Sequence, residues 1–173
     1  VPFLAPSFVA SFARTTELTA EKTDKGVTIK IDGQPFAEYL INSKTKPIVW
    51  PIIGPTGKKM TRDYPLIEKV EGESKDHPHH RSLWFSYDKV NGTNFWAESA
   101  SFTSSKKDSD KAAAELGTQK QREFKMLEGG KDKGMIVSVT DWIDHSGKKV
   151  LEDERHITFS ASASTRIIDF DID

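Results

Sequence analysis

The densest chemistry in the chain is Asp76-His77-Pro78-His79-His80-Arg81, which gathers three of the five histidines within four positions. Imidazole changes charge near neutral pH, so it can take or give a proton where carboxylates and amines cannot. His79 and His80 are the candidate catalytic acid or base. Arg81 carries a planar fork of donors suited to a carboxylate or another anionic oxygen pair. Arg62, in Thr61-Arg62-Asp63-Tyr64, stands where the loop leading to the histidines begins. It either orients ligand oxygens in the same cleft or makes a surface ion pair with Asp63, which is worth little. His77 precedes a proline and is biased to extended backbone; it joins the candidate ligand-binding residues. Trp84, among Ser82, Ser86 and Asp88, is a flat surface that could stack beside His80.

Three chemistries fit this cluster. In the first, the imidazoles and Arg81 serve an acid/base or ligand site. In the second, His77, His79 and His80 hold Cu, Fe or Zn, with Glu73 or Asp76 adding oxygen. In the third, the histidines only brace a loop. The spacing is neither H-E-x-x-H nor a facial triad, and adjacent side chains on a strand point apart, so no metal ligands are assigned.

The elements that must position these residues read as antiparallel β. Val27-Thr28-Ile29-Lys30-Ile31 alternates with period two, Asp32-Gly33 is a turn, and Gln34 to Ile41 returns as a hairpin partner. Pro47 to Ile53 is apolar and ends at Gly54-Pro55-Thr56-Gly57, a strong turn signal. Met60 to Tyr64 reads as a short strand and Pro65 to His80 as a long loop. Strands over Ser82 to Val90 and Thr93 to Ser99 flank Asn91-Gly92, the strongest short hairpin signal.

If extension begins at His79, then His80, Ser82, Trp84, Ser86 and Asp88 share one face, and Arg81, Leu83, Phe85 and Tyr87 lie on the other with His79. The hairpin sets Tyr87 opposite Trp96 as a cross-strand aromatic pair, and Phe85 opposite Glu98. In apolar company the Glu98 carboxyl would titrate high and suit a general acid; at an edge position it would reach water instead. Asn91-Gly92-Thr93 matches a glycosylation sequon, but a tight turn argues against its use.

Residues 100–114 are of low complexity and read as a surface loop with a short helix opening near 112–114. Residues 118–128 fit a strand or a helix. Met135 to Ile143, Val150 to Ser162 and Arg166 to Ile172 read as strands, with a turn at His145-Ser146-Gly147-Lys148. Asp169, Asp171 and Asp173 alternate, as acids on the solvent face of a strand do. Short strands without βαβ alternation predict a sandwich.

Composition removes whole classes of function. With 173 residues, a net charge of −1 and no cysteine, the chain has no basic field for nucleic acid and no disulfide, thiolate metal site or cysteine nucleophile. No stretch approaches the ~20 apolar residues of a membrane span. Aromatic residues make up 10%, too many for a solvated tail. Residues 1–13, VPFLAPSFVASFA, resemble the remnant of a secretory signal peptide, with Ser11 and Ala13 at small-residue positions, which predicts export. Residues 14–173 are expected to form a single β-sandwich domain, the N-terminal part of a longer one.

Three segments resemble a bacterial family labelled methane oxygenase PmoA. They are Tyr39 through Gly57 with Thr61-Arg62-Asp63-Tyr64-Pro65, then Asp76 through Phe85, then Arg166 through Asp171; together the resemblance spans roughly residues 25–173. Taken literally the label implies a metal-dependent oxygenase, but the integral membrane enzyme of that name needs spanning helices that are not found here. The family's β-rich character is similar to the large sandwiches of sugar mutarotases and carbohydrate-active enzymes. The resemblance therefore implies a mutarotase-like supersandwich and a carbohydrate-related function, either sugar binding or acid/base chemistry on a sugar, with a small carbohydrate or glycan as partner. A non-catalytic interaction module is the third class.

Overall fold

The computed structural model describes residues 15–102, 110 and 114–173. The expected signal-peptide remnant at 1–13 lies outside the described residues, as do 112 and 113 of the helix expected near 112–114; Ala114 is in a turn. The architecture is all-β and antiparallel, a sandwich of two main sheets.

The first sheet begins with β1 (Glu17–Thr23), β2 (Gly26–Ile31), β3 (Gln34–Ser43) and β4 (Lys46–Ile52), joined as successive hairpins. The alternation predicted for β2 holds: Val27, Ile29 and Ile31 are buried and Thr28 and Lys30 are not. Asp32 and Gly33 turn the chain with φ of 49° and 78°, a conformation that Asp-Gly tolerates at little cost. Gly26 is required by close approach, because a Cβ there would meet the Tyr39 carbonyl oxygen at 1.9 Å.

The chain then leaves the sheet. Between β4 and the small hairpin of β5 (Lys89–Val90) and β6 (Thr93–Asn94), its strand-like backbone pairing is limited to isolated bridges. The strand expected at Met60–Tyr64 does not form, Ser82–Val90 contributes only β5, and Thr93–Ser99 only β6. Ser82 has φ of 63°, which interrupts any extended run there. The Asn91-Gly92 turn does form, with Val90 opposite Thr93. Leu83 docks on the edge of β4, with Val49 N–H donating to the Leu83 carbonyl at 2.8 Å. That contact delivers the chain that follows the histidine loop to the middle of β4.

The second sheet orders as β11 (Arg166–Ile172), β10 (Lys149–Ala161), β9 (Lys133–Ile143) and β7 (Thr118–Glu128). Residues 118–128 are thus strand, not helix. The two-residue β8 (Gly130–Lys131) pairs with β1 and stitches the sheets together. The sheets meet through Leu18, Ile29, Phe36, Tyr39, Ile136 and Phe159, with Phe36 edge-on to Phe159 at 5.7 Å. Asp169 and Asp171 on β11, and Asp173 just after it, are exposed, as their alternation predicts.

Toward the other end, the inner face of the second sheet turns polar. Arg155 is fully buried and donates to Asp153 at 2.7 and 2.9 Å and to Gln119 at 2.7 Å. Gln119 donates onward to the Ser86 hydroxyl at 2.9 Å, and Trp142 donates to Asp153 at 2.6 Å. A buried arginine is tolerated only where such partners surround it. This network fastens the segment after the histidine loop to the sandwich. Among the described residues no helix is long and apolar enough to cross a membrane.

Candidate functional site

The histidines sit on a turn, not on a strand. His77 has φ of 45°, Pro78 follows, and His80 N–H donates to the His77 carbonyl at 2.9 Å. The side chains therefore converge instead of alternating. The His77 and His80 rings stack at 4.9 Å, and His79 meets His80 edge-on at 4.4 Å. This overturns the two-faced strand expected from His79 onward, although Leu83 still packs against the core and Phe85 still reaches Trp142 at 5.9 Å.

Arg62 makes this turn. Its Nη2 donates to the carbonyls of His77 at 2.8 Å, Asp76 at 3.0 Å and His80 at 3.3 Å, and its Nη1 reaches the Asp76 carboxylate at 3.1 Å. A guanidinium spent in this way orients the loop and, through it, the imidazoles. Asp63, the other expected partner of Arg62, pairs with Lys59 at 2.7 Å. Asp76 is bonded first to His77 at 2.9 Å, and also to Ser74 and Arg62; together these hold its carboxyl down at about 2.

Arg81 goes inward. It is 2% exposed and forms a two-pronged pair with Glu98, at 2.9 Å to Oε1 and 2.7 Å to Oε2. Thr45 adds a hydrogen bond to Glu98 at 3.0 Å. Arg81 is thus placed to brace the wall of the site from inside, out of a ligand's reach. Glu98 is buried, against the expectation of an edge position in water, and its carboxylate is committed to Arg81.

Beside this pair lies a residue the sequence did not single out. Lys46, at the first position of β4, is 1% exposed. Its ammonium donates to the Trp96 carbonyl at 2.7 Å and sits 4.3 Å from the centre of the Trp84 ring. Burial depresses its pKa to about 8, with Glu98 opposing the shift and Arg81 reinforcing it. No sequence signal marked Lys46: a lysine in a Ser-Lys-Thr-Lys turn reads as solvated.

The aromatic neighbours complete the wall. Trp84 lies 6.2 Å from His80, as expected of a surface beside that imidazole, but one of its faces is covered by Lys46. The more open ring is Trp96, 40% exposed, which meets Trp84 at 4.6 Å, His80 at 6.1 Å and His79 at 6.4 Å. The hairpin register put Trp96 opposite Tyr87 but gave no hint that it would reach the histidines.

The electrostatics of the imidazoles follow from this packing. Burial first, then the nearby His80, Lys46 and His77, lower the His79 pKa to about 4. His80 is also lowered, by burial and then by His77 and Arg62. Both shifts favour the neutral ring, in which one nitrogen accepts a hydrogen bond and the other donates. Nδ1 of His79 lies 2.9 Å from the Ser101 hydroxyl, which can serve either tautomer because it both donates and accepts.

The arrangement does not suit a shared metal ion. Ring lone pairs lie in the ring plane, so the nearly parallel His77 and His80 rings, 17° apart, cannot aim at one point. Among the described residues no three His, Asp or Glu side chains converge as an ion would require.

No curated protein and no solved structure matches this chain. A family model does: residues 26–173 match DUF6807, a family of unknown function, and the chain belongs to that family.

Proposed function

We propose that the protein is exported and carbohydrate-related, binding a sugar or performing base-assisted chemistry on one, at a wall made of His79, His80, Trp84 and Trp96. The observation that carries this reading is the contact of two imidazoles with a half-open tryptophan pair. A pyranose presents apolar C–H faces and a rim of hydroxyls. An exposed indole suits the first and neutral ring nitrogens suit the second, accepting hydroxyl hydrogen bonds. In a catalytic version the more exposed His80 takes a hydroxyl proton, while His79, held at Ser101, accepts from a neighbouring hydroxyl. Arg62 and the Arg81–Glu98 pair position this wall and do not touch the sugar.

The resemblance to the family labelled methane oxygenase also carried an oxygenase reading. The stacked rings of His77 and His80 favour the sugar reading over a shared ion at those imidazoles. The test is calorimetric titration of the full chain with a saccharide panel, beside His80→Ala and Trp96→Ala. At least one saccharide is expected to bind, with affinity falling about tenfold or more in each variant, as loss of one aromatic or hydrogen-bonded contact implies. Absence of binding across the panel, or binding that both variants leave intact, overturns the proposal.

A further inference from the structure

The outer side of Trp96 faces away from the histidines toward the β5–β6 hairpin. There the sequence predicted an aromatic pair between Tyr87 and Trp96. The ladder ends at Lys89 opposite Asn94, with one further bond from Phe95 N–H to the Asp88 carbonyl at 3.2 Å. Beyond it the two rings part, and among the described residues Tyr87 makes no ring contact. Between them lies an open groove of about 670 Å³, lined by Ser86, Tyr87, Asp88, Lys89 and Trp96. Tyr87 is 64% exposed and Trp96 40%, so two large rings open onto the same groove. Among the described residues the Asp88 carboxylate and the Lys89 ammonium make no ion pair, and both residues line the groove. Ser86 is buried and committed to Phe95 and Gln119, so the groove floor is fixed to the sandwich.

We infer that this groove is a second sugar subsite, so that the ligand is a linear glycan of at least two residues that crosses Trp96 from the histidine wall to Tyr87. The inference rests on the sugar reading of that wall. Trp96 is the shared partition, since it touches His79, His80 and Trp84 and also lines the groove. Two open aromatic rings with a gap between them can hold a pyranose ring by its faces. Asp88 and Lys89, which also line the groove, carry an acceptor and a donor for ring hydroxyls, each of which both donates and accepts. The groove volume lies within the range of small-ligand sites.

The test is a length series, mono- to tetrasaccharides of the cello-, xylo-, manno- and chito- types, titrated into the full chain and into Tyr87→Ala. In the series that binds, the disaccharide is expected to bind about tenfold tighter than the monosaccharide, the order of one added aromatic contact. Tyr87→Ala is expected to abolish that gain, and Tyr87→Phe, which keeps the ring, to restore most of it. Affinity independent of length, or a gain that survives in Tyr87→Ala, overturns the second subsite while leaving the histidine wall standing. No binding at any length overturns the sugar reading and this inference with it.

Discussion

At the scale of single residues, the site depends on charges that sit where water cannot reach them. Arg81 and Glu98 are each 2% exposed, and each is the other's main compensation. Removing one leaves a buried charge unpaired, whereas replacing both with apolar residues is often neutral. Arg81→Met is therefore expected to cost about 3–5 kcal/mol in urea unfolding, and Arg81→Met/Glu98→Met to recover most of it. A loss under about 1 kcal/mol in the single variant would show that the pair does not brace the wall. His79 gives the second expectation. Its folded pKa, about 4, lies below its usual 6.5, so the unfolded chain binds the extra proton more readily. The contribution of His79 to stability is full above pH 6.5 and is lost as pH falls toward 4. His79→Gln should flatten the stability-against-pH curve in that window, and an unchanged slope would mean that its ring is not desolvated by the wall.

At the scale of elements, the histidine turn is held mainly by one side chain. Arg62 binds the carbonyls of Asp76, His77 and His80, and lysine cannot reproduce that fork. In Arg62→Lys, amide exchange over residues 74–82 is expected to rise about tenfold or more, with overall stability changed by less than about 1 kcal/mol. Unchanged exchange would show that Pro78 and the loop's other bonds suffice. The contrast between strands and loop explains what could be read in the sequence. Alternation marked β2, where one face is buried, and β11, where half-buried and exposed residues alternate; β9 forms as a strand, but its residues 136–140 are buried on both faces. Asp32-Gly33 and Asn91-Gly92 marked their hairpins, because those residues accept positive φ. The segment from His79 to Tyr87 misled for a physical reason. Its apolar residues alternate like a strand, but Leu83 docks at a single bridge, and positive φ at His77 and Ser82 bends the chain. The convergence of His79 and His80 with Trp96, and the burial of Lys46, depend on contacts among residues far apart in sequence. No local pattern encodes them.

At the scale of the whole molecule, the sandwich supplies a rigid back and the excursion from β4 to β7 supplies the chemistry. Two buried polar clusters tie them together: Arg81–Glu98–Thr45 behind the histidine wall, and Arg155–Asp153–Gln119–Ser86 behind the groove. The outer face of the second sheet is laced instead with exposed pairs such as Arg122 with Asp141 and Lys125 with Glu154, which add solubility and little stability. The function proposed here concentrates on one side of the molecule, so the measurement that tests it most directly watches the imidazoles themselves. The full chain carries five histidines, of which His145 and His156 lie on the second sheet and its turn and serve as internal controls. In a histidine-selective NMR titration with the saccharide panel, the ring signals of His79 and His80 are expected to move with at least one sugar while those of His145 and His156 stay still. A sugar that binds without moving His79 and His80, or a panel that moves none of the five, would contradict the account.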